Sequence, residues 1–131
     1  MAKIKQITAW VENKPGEIGR IAEALGKAKV NISALTCWGT GSENPIHLQV
    51  SSPAKAKKVL QDLGLRITEE EVLRLTLPDK PGVLGTVGTR LGAANINVEY
   101  AYASVATGSK KADLILSVSD VSGAAKVLRG L

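Results

Sequence analysis

A seven-residue phrase occurs twice in this chain: Asn13-Lys14-Pro15-Gly16-Glu17-Ile18-Gly19 returns as Asp79-Lys80-Pro81-Gly82-Val83-Leu84-Gly85. The match runs on without a gap. Pro15 and Pro81, Leu25 and Leu91, and Asn31 and Asn97 each stand 66 residues apart. That period is too long for a solenoid unit, and two copies fill the chain, so the repeat predicts two similar tandem domains at residues 1–68 and 69–131. A domain of this size buries only about 60% of its unfolded surface, so each half is expected to pack on its partner or on a second chain.

Within each copy the apolar residues change period in the same order. Ile7, Ala9 and Val11 alternate with Gln6, Thr8 and Trp10, and Leu73, Leu75 and Leu77 alternate in the same phase, which predicts a strand with one buried face. After the Pro-Gly turn, Ile18, Ile21, Leu25 and Ala28 fall on one helical face, as do Leu84, Val87, Leu91 and Ala94. Asn31 and Asn97 open a second strand. A Gly/Ser/Thr hairpin follows, Gly39-Thr40-Gly41-Ser42 or Ala106-Thr107-Gly108-Ser109. A third strand carries Ile46, Leu48 and Val50, or Leu114, Leu116 and Val118. A second helix starts at Pro53, or at Asp120 as its N-cap.

The order is β-α-β-β-α, and a short strand around Leu65, Arg66 and Ile67 completes the first copy. This is α+β, the ferredoxin-like split βαβ arrangement, in two tandem copies of which the second lacks its last strand. The strand beside that gap is expected to be covered by the residues before Ile7 or by a partner chain. Glu69, Glu70 and Glu71 read as a solvated linker between the copies.

The (Asn/Asp)-Lys-Pro-Gly-x-(Ile/Leu)-Gly phrase, the helix after it and the Asn that opens the next strand together resemble the ACT domain family. The resemblance covers nearly the whole chain. It implies a small ligand-sensing module, commonly for amino acids, of the kind found in regulated metabolic enzymes and as stand-alone tandem proteins. It also implies that the ligand sits near the turn and the second strand, where domains meet, and it marks Asn31 and Asn97 as the start of that strand.

The chemistry of the turn agrees. Proline fixes φ near a helix start, and the glycine after it lets a ligand approach the backbone. The N–H groups of Gly16, Glu17 and Ile18, and of Gly82, Val83 and Leu84, form a helix N-terminus that attracts an anion such as a carboxylate. Asn13 and Asp79 are placed to receive an ammonium group, or else serve as N-terminal caps. The predicted ligand-binding set is therefore Asn13, Pro15, Gly16, Glu17, Ile18 and Asn31, with Asp79, Pro81, Gly82, Val83, Leu84 and Asn97. Parallel first and second strands bring Thr36, Cys37, Trp38 and the loop over residues 39–44 to the same end as the first turn. Asn31 and Asn97 also have a local reading, because asparagine tolerates the left-handed conformation between a helix and a strand.

Other chemistries find little support. His47 is the sole histidine and no second ligand stands at a metal spacing, so neither a metal nor a cofactor is expected. No catalytic constellation is apparent. The net charge is +5, but the basic residues are scattered and the four aromatics, Trp10, Trp38, Tyr100 and Tyr102, do not make a base-stacking sheet. Trp10 points away from Ile7 and Ala9, as a sheet or dimer contact would. Cys37 has no intramolecular partner, and neither a secretory signal nor a membrane span is evident, which points to the cytoplasm. The expectation is a non-enzymatic, cytoplasmic, amino-acid-binding regulatory protein, a homodimer with a metabolic enzyme or regulator as partner. An assembly subunit without a ligand, or a nucleic-acid-binding ferredoxin-like protein, is the alternative.

Overall fold

The structure, a computed structural model, describes residues 1–39 and 41–131; Thr40 of the first hairpin lies outside them. The elements are β1 (Ala2–Glu12), α1 (Glu17–Lys27), β2 (Ile32–Cys37), β3 (Glu43–Val50), α2 (Pro53–Asp62), β4 (Arg66–Pro78), α3 (Val83–Ala93), β5 (Val98–Ser104), β6 (Lys111–Val118) and α4 (Val121–Val127). The hydrogen-bonded strand order is β2-β3-β1-β4-β6-β5. Two compact units follow from it: Lys5–Glu70, and Glu71–Leu131 together with Met1–Ile4.

In the first unit Ile7 of β1 faces Leu48 of β3 and Ala9 faces Ile46, in antiparallel register. Their side chains meet Ile21 and Leu25 of α1 and Ala56 and Leu60 of α2 in one apolar core. Both helices therefore cover the same sheet face, as the shared phase of the apolar residues requires. The second unit repeats the register, with Leu73 opposite Leu116 and Leu75 opposite Leu114. Val87, Leu91, Ala124 and Leu128 close that core. The α+β, ferredoxin-like architecture is thus present in both copies, and Asp120 caps α4, its carboxylate accepting from Gly123 N–H at 2.9 Å.

The place of the missing last strand is filled from the other end of the chain. β1 is the hydrogen-bonded neighbour of β4, and its first residues, through Ile4, belong to the second unit. Lys3 also donates to Ser122 Oγ of α4 at 3.0 Å.

Three sequence expectations need correction. The three glutamates do span the boundary between the units, which falls at Glu70 and Glu71, but as part of the continuous strand β4 and not as a solvated linker, and Glu69 pairs there with Lys57 and Lys5. Lysine partners on neighbouring elements offset the poor strand propensity of glutamate. The alternation in β1 does not leave one face to solvent, since Gln6 and Thr8 are buried alongside His47 and Gln49. Their polar atoms are satisfied across strands, Thr8 Oγ1 to His47 Nδ1 at 2.7 Å and Gln49 Nε2 to Gln6 Oε1 at 3.4 Å, which is what makes such burial affordable. Finally, the left-handed residues between helix and strand are Lys29 (φ 60°) and Asn95 (φ 57°), two positions before Asn31 and Asn97. The later asparagines instead pair their backbones with Ser51 and Ser119.

Candidate functional site

The Pro-Gly turns reach their helices through a left-handed glycine. Gly16 (φ 92°, ψ −7°) and Gly82 (φ 90°, ψ −14°) are the N-cap residues of α1 and α3, and neither helix has a side-chain cap. The capping reading of Asn13 and Asp79 is thereby set aside, because the glycine conformation itself starts the helix. At the second turn the Val83 N–H is directed at Lys80 C=O at 3.4 Å, so one amide of the expected anion-attracting set turns inward.

Each turn forms the wall of a pocket. The first, about 390 Å³, is bounded by Asn13, Lys14, Gly16, Glu17 and Ile18 on the turn side and by Cys37, Trp38, Gly39, Asn44 and Pro45 on the strand side. A methyl group on Gly39 would lie 2.9 Å from Asn13 Oδ1, so the side chain of Asn13 rests directly on the end of the second strand's loop. Asn44 holds that loop, accepting from Gly41 N–H at 3.0 Å and donating to its C=O at 2.9 Å. Trp38 forms a half-exposed wall whose ring lies 5.2 Å from that of His47 at 44°. Burial pushes the pKa of His47 below its ordinary 6.5, with Glu70 acting weakly in the opposite sense.

The second pocket, about 230 Å³, is bounded by Asp79, Lys80, Val83 and Leu84 and, across from them, by Ala103, Ser104, Val105, Ala112 and Leu114. Leucine and valine dominate it. Both mouths keep large apolar side chains in water: Ile18 is 49% and Trp38 45% exposed, Leu84 65% and Val105 50%. Ile18 and Leu84 hold the same place in the two copies, and Trp38 and Val105 lie one position apart in the repeat, so each mouth carries an exposed apolar pair.

Of the sequence-predicted residues, Asn13, Gly16, Glu17 and Ile18 line the first pocket, and Asp79, Val83 and Leu84 line the second. Pro15, Pro81 and Gly82 shape the turns without lining these pockets. Asn31 and Asn97 stand at the opposite ends of the second strands, roughly 20 Å of extended chain from the turn, and line neither. Sequence reasoning passed over Lys14, Lys80, Ser104 and Val105. The 66-residue repeat pointed to the last two, since it carries Trp38 and Gly39, just after β2, onto 104 and 105.

Glu17 is more than an amide donor. Its side chain is only 9% exposed, and its carboxylate meets Arg20 at 2.9 Å and Lys14 at 3.8 Å. Trp10 finds cover inside the first unit. The Arg66 guanidinium lies 4.5 Å over its ring, and its Nε1 donates to Thr68 Oγ1 at 3.3 Å. Among the described residues no group of three potential metal ligands gathers, and no helix is long and apolar enough to cross a membrane.

A family model described as an ACT domain pair matches residues 2–128. Among solved structures, protein BT0572 from Bacteroides thetaiotaomicron is 28% identical, with a TM-score of 0.89 over 97% of this chain and 87% of its own. The ligand-free regulatory subunit of aspartate kinase from Thermus thermophilus shares the fold at 13% identity, with a TM-score of 0.72 over 95% of this chain and 89% of that one. The corresponding subunit from Thermus flavus does so at 13% and 0.68, over 94% and 88%. Comparison with curated proteins gives no match.

Proposed function

The chain belongs to the ACT domain family, as a pair of such domains over residues 2–128, and from that premise we propose that it is a non-enzymatic regulatory protein that binds an amino acid at its Pro-Gly turns. The observation that carries this reading is the recurrence of a pocket at the same turn in both copies, each with an exposed apolar pair at its mouth. Two independent sets of side chains build it, Ile18 with Trp38 and Leu84 with Val105. A fold requirement alone does not keep such residues in water. The mouths also suit contact with a second copy of the chain, so ligand occupancy would be linked to how two copies associate. Fold-mates that are regulatory subunits of a kinase support a metabolic enzyme as the partner that reads the change. Cys37 stays a free thiol, in keeping with action in the cytoplasm.

Thermal unfolding against each common amino acid tests the reading. A ligand at about 100 times its dissociation constant adds roughly 2.7 kcal/mol, which moves the midpoint of a small domain by several degrees. One or a few selective shifts are expected. A protein whose midpoint moves with none of them is not an amino-acid sensor.

A further inference from the structure

The two pockets occupy equivalent places but differ in how their charges are engaged. In the first, Lys14 Nζ is engaged by Glu12 at 3.6 Å and by Glu17 at 3.8 Å, and Glu17 also holds Arg20. The residue that would take a ligand ammonium there is the neutral Asn13. In the second, Pro78 replaces Glu12, Val83 replaces Glu17 and Thr86 replaces Arg20, whose place in the ion pair is given up for a bond from Thr86 Oγ1 to Gly82 C=O at 3.2 Å. Lys80 keeps its ammonium, and Asp79 supplies a carboxylate where the first copy has an amide. Among the described residues neither Lys80 nor Asp79 makes an ion pair. A free acid and a free base thus stand next to each other on the rim of a cup walled by Leu77, Val83, Leu84, Val105 and Leu114.

That combination complements a zwitterion with an apolar tail. A ligand carboxylate gains a charge-assisted bond from Lys80 and an ammonium gains one from Asp79, both roughly twice as strong as neutral bonds. A branched aliphatic group fills a cup of about 230 Å³ whose walls are mostly apolar, Ser104 being the one hydroxyl among the residues that line it. In the first pocket the same ligand must compete with Glu17 and Glu12 for Lys14, and its ammonium meets carboxylates that Lys14 and Arg20 already engage. Resting on the amino-acid reading above, we infer that the second unit holds the responsive site, that it takes a small aliphatic zwitterion, and that Asp79 and Lys80 determine this specificity. The first pocket is neutralised by its own side chains and does not take that ligand.

Titration calorimetry of the full chain decides it, with L-valine as the probe beside isovalerate, which lacks the ammonium group, and isobutylamine, which lacks the carboxylate. The expected result is one equivalent of L-valine per chain, with both analogues at least tenfold weaker. Asp79→Asn and Lys80→Gln should each weaken L-valine at least tenfold; both side chains are exposed, so the variants fold, as circular dichroism will show. Two equal equivalents, or binding untouched by either substitution, overturns the inference and leaves the amino-acid reading standing. So does a thermal shift from another amino acid with none from L-valine. No response to any amino acid overturns both.

Discussion

Replacing Gly82 by alanine tests how the turn starts its helix. At φ 90° and ψ −14° an L-residue carries the left-handed penalty, about 1–2 kcal/mol. A Cβ built there meets no atom within 4 Å, so no steric cost adds to it. Alanine also narrows the unfolded ensemble, which returns roughly 0.4–1 kcal/mol. The net loss should be about 1 kcal/mol, a fall of roughly 4–8 °C in the midpoint of a domain this size. Gly16, at φ 92° and equally open, should lose the same amount. Asparagine, which visits the left-handed region at lower cost, should lose less than alanine at either place. Urea unfolding monitored by circular dichroism gives the values. If Gly82→Ala costs nothing, or if asparagine is worse than alanine, the glycine is not there for its backbone angle and the reasoning fails.

Further outcomes follow from the packing. Leu25→Ala and Leu91→Ala empty equivalent, fully buried places in the two cores, so each should cost about 2–5 kcal/mol by denaturant unfolding, with separate transitions if the units unfold independently. Removing residues 1–4 strips the strand that stands beside β4 in the second unit; each ladder bond lost costs roughly 0.5–1.5 kcal/mol, so denaturant unfolding should show the second unit destabilised, and hydrogen exchange should quicken at residues 71–78. The unfolded chain protonates His47 near its ordinary 6.5, whereas the folded chain does so only at lower pH because the ring is desolvated. Stability is therefore full above that value and declines as pH falls below it, and His47→Gln should flatten that decline. A second decline, below about pH 4, should come from Asp113, whose carboxyl is held below its ordinary range by its bonds to Arg74 at 2.8 Å and Thr76 at 2.9 Å; Asp113→Asn should shrink it.

The repeat carried most of the fold. Because Ile7 and Leu73 keep the same phase as Ile21 and Val87, one reading of the apolar residues yields both cores and the shared helical face. What stayed hidden was long-range. Nothing local in Glu69-Glu70-Glu71 reveals that Lys57 and Lys5 stand ready to pair with it, so a strand reads as a linker. Gln6 and Thr8 read as facing away from the core because polarity is visible in a sequence and their cross-strand partners are not. The candidate pockets were legible at the turns, where Asn13 and Asp79 were singled out and do line them. They were illegible in their charges, because the burial of Glu17 against Arg20 depends on three-dimensional packing and separates the two pockets more sharply than any motif does. Asn31 and Asn97, prominent in the repeat, serve the junction between helix and strand at the far end.

The claim that amino acids bind at the Pro-Gly turns is tested most directly by two-dimensional amide spectra of the labelled protein with and without a mixture of the common amino acids. The account predicts shifts concentrated at the turn residues, Gly16 to Ile18 or Gly82 to Leu84, and at the facing strand ends, Cys37 to Gly39 or Ala103 to Val105. Spectra that do not change, or changes confined to residues away from both turns, would contradict it.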